Sequence, residues 1–455
     1  MVCFPWIKRQ MLAWVSFLCL VLLLAAPSAS EPFAPLEVEI YGPGEKKVNY
    51  FLALPQPLPD AEAEEVPAGA SQIQVALEEN LGFLPFLQRI PGEEILGEEE
   101  LGGVKAEDID FQRMTLSQVD YVLTQGYNIR AEEEAQVELR AFSARTGELV
   151  VGRGYLVANR AEAQRAADRF SAELMEALVG ERGFFRSRIA YVEKQNEAKE
   201  IHTITAQGRF PEQLTEYGEL SLSPAWSWDG GSVAFVLLEG DRHKLLVYDH
   251  AEQELREIPV PGNTVISPAF HPEGWIAASV TAGEDPDIHM FDMENGLADN
   301  LAGSWAIEVS PGFDREGRWM SFVSSRLGNP HIFLKDLQEN EVERISYEGN
   351  YNTEPAISPD GRYILYTSRT EEGHRIFLHD RERGTTRQLT EGPGNDEDPA
   401  WGPNGYFLAF VSDRSGEKRI YITSRDGGEA RELDTGPGEA TSPAWSPEMD
   451  PRGGS

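Results

Sequence analysis

The sequence has 455 residues, of which 76 are acidic and 40 basic, and its formal net charge is −36. This length exceeds one typical domain, and a hydrophobic content of 41% is enough for real cores, so we expect two domains. The acidic excess argues against nucleic acid and anionic lipid as partners, because both would be repelled. Only Cys3 and Cys19 could form a disulfide. The 42 glycines, 29 prolines and 9 tryptophans favour strands and turns over a helical bundle.

Residues 1–30 have the pattern of a secretory signal peptide. Lys8 and Arg9 precede an apolar run over residues 11–26, and small residues follow as far as Ser30. The run is shorter than the roughly twenty residues that span a bilayer, so cleavage near Ser30 is preferred over a retained membrane anchor. Cleavage removes both cysteines and leaves a net charge of −38. Export without a disulfide is typical of the bacterial periplasm, where we expect this protein.

Residues 31–185 are predicted to form an α/β domain. Residues 36–40 alternate apolar and acidic side chains, which indicates a short half-buried strand. Ser71 is a candidate N-cap for a helix that ends at Leu81. Three strand-like runs lie between residues 121 and 157, and the apolar spacing over residues 161–178 predicts a helix. This domain contains no metal-ligand cluster and no nucleophile motif.

Residues 186–455 repeat one short pattern six times. The copies are Ser223-Pro224-Ala225-Trp226, Ser267-Pro268-Ala269-Phe270, Ser310-Pro311-Gly312-Phe313, Glu354-Pro355-Ala356-Ile357, Asp398-Pro399-Ala400-Trp401 and Ser442-Pro443-Ala444-Trp445. Their prolines are 44, 43, 44, 44 and 44 residues apart. Each of the first five copies is followed by a dipeptide that ends in glycine, as in Asp229-Gly230, and then by an apolar strand. Such regularity is typical of a repeat architecture.

Each repeat also predicts a third and a fourth strand. The third strand ends in an aspartate in four repeats, and we interpret these residues as acceptors for backbone donors in a turn rather than as a catalytic series: Asp249, Asp292, Asp336 and Asp380. Four strands in about 44 residues match one blade of a β-propeller. Residues 188–192 resemble a second strand without a first, and residues 443–447 a first strand without a second. We therefore predict an all-β six-bladed β-propeller, closed by pairing of its first and last strands.

The repeats resemble those of the TolB family, periplasmic proteins of the bacterial Tol–Pal system. The passage GFFRSRIAYV at residues 183–192 is similar to the entry into that family's first blade. Residues 324–332 and 351–355 resemble its third and fourth blades. The order of signal peptide, α/β domain and propeller also agrees with this family.

The resemblance implies a non-catalytic scaffold. It implies binding of a Pal-like lipoprotein at one mouth of the propeller, and of a TolA-like inner-membrane protein through the mature N-terminal segment. The role implied is support of outer-membrane integrity and cell division. The rim positions that the resemblance assigns to Pal are Thr264, Ser267, Val309, Ser310, Thr353, Glu354 and Asp398. The positions assigned to TolA are Glu31, Leu36, Val38 and Ile40. We expect a monomer without cofactor or metal.

The alternative is an enzyme, such as a secreted propeller hydrolase or lactonase. The sequence contains neither a G-x-S-x-G nor an H-E-x-x-H motif. Four histidines recur near one place in successive repeats but are out of register, so we interpret them as neutral surface histidines rather than as a metal ring: His243, His289, His331 and His374. The carboxylates of Asp396, Glu397 and Asp398 are the alternative candidates for a Ca²⁺ site.

Overall fold

The computed structural model of this chain describes residues 47–449 except 60, 62–64, 98–102, 131–133 and 181–182. The predicted signal peptide lies outside the described residues, and so do Glu31, Leu36, Val38 and Ile40. Among the described residues, no helix is both long and apolar enough to cross a membrane.

The first part of the described chain, residues 47–180, folds around a six-stranded mixed sheet. Its strands run in the order β3-β1-β4-β5-β6, and β2 also pairs with β4. The bounds are β1 Val48–Leu52, β2 Gln56–Pro57, β3 Leu87–Arg89, β4 Tyr121–Ile129, β5 Ala135–Ser143 and β6 Leu149–Val157. The helices are α1 Ala68–Gly82, α2 Phe111–Leu116 and α3 Arg160–Val179, and short 3₁₀ turns occupy Gly92–Glu94 and Ala106–Asp108. The three strands predicted between residues 121 and 157 are thus confirmed.

The two predicted helices of this part are confirmed with small changes at their ends. Helix α1 begins three residues before Ser71, with Pro67 at its N-cap, so the proposed cap by Ser71 is wrong. Pro67 is tolerated at this place because its backbone is extended, with a ψ of 149°, and no hydrogen bond within the helix requires the N–H group that proline lacks. Helix α3 begins after Asn159, whose side chain accepts a hydrogen bond from the Glu162 amide. It ends at Gly180, which has a φ of 81°.

The second part, residues 183–449, consists of β-sheets. Its strands are β7 Arg188–Gln195, β8 Ala198–Thr205, β9 Glu212–Gln213, β10 Leu220–Trp226, β11 Ser232–Glu239, β12 Arg242–Asp249, β13 Glu254–Ile258, β14 Val265–Phe270, β15 Ile276–Val280, β16 Asp287–Asp292, β17 Gly296–Ala302, β18 Glu308–Phe313, β19 Trp319–Leu327, β20 Asn329–Asp336, β21 Glu341–Arg344, β22 Asn352–Ile357, β23 Tyr363–Thr370, β24 Gly373–Asp380, β25 Thr385–Gln388, β26 Asp396–Trp401, β27 Phe407–Ser412, β28 Arg419–Ser424, β29 Arg431–Glu432 and β30 Glu439–Trp445. Strands β14 to β29 form four antiparallel sheets of four consecutive strands each.

The remaining strands join in one eight-stranded sheet. Its order is β13-β12-β11-β10-β8-β7-β30, and β9 pairs with β8. Strand β30 pairs antiparallel with β7, for example Thr441 with Val192. The parallel link between β10 and β8 rests on one residue pair, Leu220 with Lys199. This sheet therefore divides into two groups of four strands, β30-β7-β8-β9 and β10 to β13.

The turn chemistry predicted from the repeats is confirmed. The glycines after the first strand of each sheet have φ values between 63° and 93°: Gly230, Gly274, Gly317, Gly361 and Gly405. The aspartates that end the third strands accept hydrogen bonds from two backbone amides of the following turn, at distances between 2.8 and 3.2 Å: Asp249, Asp292, Asp336 and Asp380. These aspartates are turn residues, so a catalytic role for them has no geometric basis.

Candidate functional site: a central channel and its mouth

The residue before each repeated proline is in the left-handed region of the backbone. The six values of φ lie between 52° and 59°, for Ser223, Ser267, Ser310, Glu354, Asp398 and Ser442. At the same point the register between the first and second strands shifts, which marks a β-bulge. A positive φ in a residue other than glycine is uncommon, so a feature repeated six times is a property of the repeat itself.

These six bulges line a central channel with a volume of about 520 Å³. Each of the strands β10, β14, β18, β22, β26 and β30 contributes its residue of positive φ, the following proline and the next small residue. At the end near the glycine turns, Arg315 reaches across the channel. Its Nη2 donates to the carbonyl oxygen of Pro403 at 3.1 Å, and its backbone amide donates to Pro359 at 2.9 Å.

Two carboxylates project from neighbouring strands of this channel wall. Glu354 Oε2 accepts a hydrogen bond from Thr367 Oγ1 at 2.6 Å and from the backbone amide of Asp398 at 2.8 Å. Burial raises the pKa of Asp398 to about 7, and the charge of Glu354 adds to this effect. Ser442 donates a hydrogen bond to the Asp398 carboxylate and opposes the rise. Near neutral pH this pair therefore carries less than two negative charges.

The opposite end of the channel, where the first strand of each sheet begins, is here called the mouth. Two sets of loops meet there: those that precede the first strands, and those that join the second and third strands. Backbone hydrogen bonds link the two sets, with the amide of Thr281 donating to Thr264 and the amide of Arg369 donating to Tyr351. In these two sheets, the loop before the first strand is thus hydrogen-bonded to the chain at the end of the second strand.

The structure divides the seven predicted rim residues into two groups. Ser267, Ser310, Glu354 and Asp398 line the channel wall. Each of them is the residue of positive φ at the bulge of its strand. Thr264, Val309 and Thr353 precede the wall residues and lie closer to the mouth, half-buried. Contact of any of the seven with a partner remains a prediction.

The proposed calcium ligands have separate partners. Asp396 Oδ1 pairs with Arg414 at 2.7 Å, Glu397 Oε2 pairs with Lys418 at 2.8 Å, and Asp398 belongs to the channel wall. Within the part of the chain that the structure describes, no group of three or more histidine, cysteine, aspartate or glutamate residues could hold a metal ion.

Three of the four recurring histidines contact the first strand of the next sheet. His243 Nδ1 lies 2.8 Å from the carbonyl oxygen of Val265. His331 lies 3.2 Å from the amide nitrogen of Asn352, and His374 pairs with Glu397. His331 is buried, at 6% exposure, so its interpretation as a surface histidine is wrong; the reason is that it packs under the loop before β22.

Sequence reasoning missed a group of exposed aromatic and aliphatic residues at the mouth. Trp305 is 77% exposed and Tyr347 is 73% exposed, and Ile307, Leu327 and Tyr351 are exposed as well. Trp226, Trp401 and Trp445, by contrast, are buried. The position in the sequence could have indicated this difference. Trp305 lies in a loop between two strands, whereas the three buried tryptophans are the last residues of first strands.

A buried ionic contact joins the two parts of the chain. Arg209, from the loop between β8 and β9, donates through Nη1 to Asp168 on α3 at 2.9 Å. Its Nη2 donates to Glu79 on α1 at 2.6 Å. Burial raises the pKa of Asp168 to about 6, and the charge of Arg209 opposes this rise. Next to this contact, Phe184 packs against Phe83 of the first part and Phe407 of the second.

Four-stranded antiparallel sheets around a central channel, preceded by an α/β region, define a β-propeller protein. The model of a family described as the TolB beta propeller domain matches residues 175–449. The "Tol-Pal system protein TolB" of Nitratidesulfovibrio vulgaris is 39% identical over 316 residues, which cover 68% of this chain and 70% of that protein. The chain therefore belongs to the TolB family.

Two further comparisons agree with this assignment. The "Tol-Pal system protein TolB" of Desulfosudis oleivorans is 32% identical over 292 residues, or 64% of this chain and 65% of that protein. The crystal structure of TolB from Acinetobacter baumannii matches 89% of this chain and 97% of its own, with a TM-score of 0.73 and 20% identity, and so supports the fold. The family is a non-catalytic one, and on this ground the chain is not an enzyme.

Proposed function

We propose that this chain is a periplasmic scaffold of the Tol–Pal system that binds a Pal-like lipoprotein at the mouth of its channel. The observation that carries the proposal is that the predicted residues Thr264, Val309 and Thr353 lie at or just before the start of the first strand in three different sheets, toward this one end. Membership in the TolB family supports it, since relatives are named as proteins of that system. The same proposal includes a monomeric state, support of outer-membrane integrity and a role in cell division.

We also propose the domain plan of a signal peptide (1–30), an α/β domain (31–185) and a six-bladed propeller (186–455). Four sheets of four strands and two groups of four in the larger sheet support the count of six. The antiparallel pairing of β30 with β7 supports closure of the ring by the first and last strands. A closed ring leaves fewer open sheet edges than an open array of blades.

The N-terminal part of the proposal concerns a TolA-like inner-membrane protein. Its contact residues are Glu31, Leu36, Val38 and Ile40, which lie outside the described residues. Support comes from the alternation of apolar and acidic side chains in this segment and from family membership. Deletion of residues 31–40 from the mature chain should abolish binding to TolA and leave binding to Pal intact.

Calorimetry of the purified mature chain with the soluble domain of the Pal-like lipoprotein from the same organism tests the proposed function. We expect a saturable one-to-one isotherm. A folded chain, verified by circular dichroism, that gives no measurable heat and no retention in a pull-down experiment contradicts the proposal. Cell fractionation tests the location, which should be the periplasm.

A further inference from the structure

Three exposed side chains at the mouth form an apolar patch: Trp305, Ile307 and Leu327. They are 77%, 43% and 59% exposed, respectively. Two hydrogen bonds bring their loops together, because the Ser325 amide donates to the Ile307 carbonyl at 3.0 Å and the Ile307 amide donates to Ser325 Oγ at 3.1 Å. Exposed apolar patches are frequent marks of protein interfaces.

Hydrogen bonds of Ser304, one of them to a buried carboxylate, fix the loop that carries Trp305. Ser304 Oγ donates to Glu308 Oε1 at 2.9 Å and accepts from the Ala306 amide at 3.2 Å. Glu308 is fully buried and also pairs with Arg326, whose guanidinium lies over the Phe333 ring at 4.9 Å. A loop whose backbone is already fixed loses little backbone entropy when a partner binds to it.

The chain segments at this end of the sheets carry mostly acidic side chains. Five of these segments, each a loop with the strand ends next to it, are residues 281–286, 303–307, 325–328, 346–351 and 370–373. Their acidic side chains are Glu284, Asp285, Glu348, Glu371 and Glu372, and their basic side chain is Arg326, which the buried Glu308 neutralises. The first two are adjacent to Pro286, whose carbonyl oxygen accepts from the Glu308 amide at 2.9 Å. These five segments, which include the patch, therefore carry five acidic side chains and one basic one.

We infer that Trp305, with Ile307 and Leu327, is the anchor of the partner interface, and that the partner presents an apolar recess edged by lysine and arginine. The inference rests on the proposed function and adds to it, because none of the predicted rim residues belongs to the patch. Tryptophan is the residue type most enriched among interface side chains that dominate affinity. The surrounding carboxylates would act mainly on the rate of association and on the choice of partner.

The test measures binding of the soluble domain of the Pal-like lipoprotein to full mature chains by calorimetry and by surface-based kinetics. Trp305→Ala should weaken binding by about 30-fold or more. Trp305→Phe should recover most of that loss, since an aromatic ring still fills the recess. The matched control is Leu156→Ala, which removes a 60% exposed side chain from β6, far from the mouth in the fold, and should change nothing.

The charge part of the inference uses the double variant Glu284→Lys and Asp285→Lys. It should slow association about tenfold at 50 mM salt and flatten its salt dependence, because long-range attraction is screened by ions. Its control is Glu294→Lys in the exposed turn after β16, at the opposite end of the sheet from the mouth. All variants should keep the melting temperature of the unaltered chain, because the changed side chains are at the surface.

The outcomes separate the inference from the proposed function. If the unaltered chain binds and Trp305→Ala binds equally well, the anchor is wrong and the proposed function stands. If Glu294→Lys slows association as much as the double variant, the placement of the charge at the mouth is wrong. If the unaltered chain does not bind, the inference and the proposed function both fail.

Discussion

The buried guanidinium of Arg375 offers the sharpest test of what holds the mouth together. This side chain on β24 is about 2% exposed. Its Nη1 donates to the carbonyl oxygens of His374 at 2.7 Å and Gly394 at 2.6 Å. Its Nη2 donates to Gly392 at 2.7 Å and Glu372 at 3.1 Å. One side chain thus ties the loop before β26 to the loop before β24.

Arg375→Ala removes all four of these hydrogen bonds. A hydrogen bond to a charged group contributes about 1.5–3 kcal/mol to stability, but the freed carbonyls of the exposed loop regain contact with water. We therefore expect a loss of about 3–5 kcal/mol in the free energy of unfolding, well above the typical loss of about 1 kcal/mol for a substitution. Arg375→Lys should lose less, because it keeps the charge and up to three donors.

Urea unfolding followed by tryptophan fluorescence measures this effect, and Arg419→Ala is the matched control. Arg419 occupies the equivalent position on β28, since it faces Ser412 as Arg375 faces Ser368. It also donates to the carbonyls of the loop before β30, including Gly436 at 2.7 Å, but its side chain is 15% exposed. Its loss should be about 1–3 kcal/mol. A loss for Arg375→Ala no larger than that for Arg419→Ala would refute the reasoning.

Three further predictions concern the channel carboxylates and the contact between the two parts. The pKa of Asp398 is about 7 in the folded chain and about 3.9 in the unfolded chain, so the stability should fall as the pH rises from 4 to 7. Asp398→Asn should therefore raise the melting temperature at pH 8 and not at pH 4.5. Equal effects at both pH values would contradict this prediction. Glu354→Lys breaks two hydrogen bonds in the channel and should lower the free energy of unfolding, measured in urea, by about 1–3 kcal/mol. An unchanged unfolding midpoint would show that Glu354 does not stabilise the fold and is available to bind a partner. Arg209→Ala leaves the buried Asp168 without its cation. The free energy of unfolding should fall by about 3–5 kcal/mol at pH 8 and by less at pH 5, where Asp168 is protonated. A loss independent of pH would contradict the ionic explanation.

The features that the sequence predicted well are those with a local cause. Glycines such as Gly230 supply the positive φ that a tight turn requires, and residues such as Asp249 accept the amides of the next turn. The helix over residues 160–179 follows from the spacing of its apolar side chains. Each of these patterns contains its physical reason within a few residues, so it can be read without knowledge of the fold.

The features that the sequence analysis missed depend on contacts between distant segments. Asp398 and Ser267 gave no sign of positive φ, because serine and aspartate are common in ordinary strands and turns. The bulge at these positions depends on how the first strand pairs with the second strand. The residues at the bulge line the channel. Arg209 and Asp168 are 41 residues apart and meet only because two folded parts pack together. The exposure of Trp305 likewise follows from its place in the assembled mouth.

The pairing of β30 with β7 has a consequence for how this protein reaches its final form. The amide of Arg188 donates to the side chain of Ser446, a residue 258 positions later in the chain. Contacts of such sequence separation form late, because the entropy of closing the loop opposes them until other structure has shortened the path. Until the last strand arrives, β7 has an unpaired edge of eight residues, which is a template for association with other chains. A chain released without residues 439–445 should therefore aggregate even though its other sheets have all their strands.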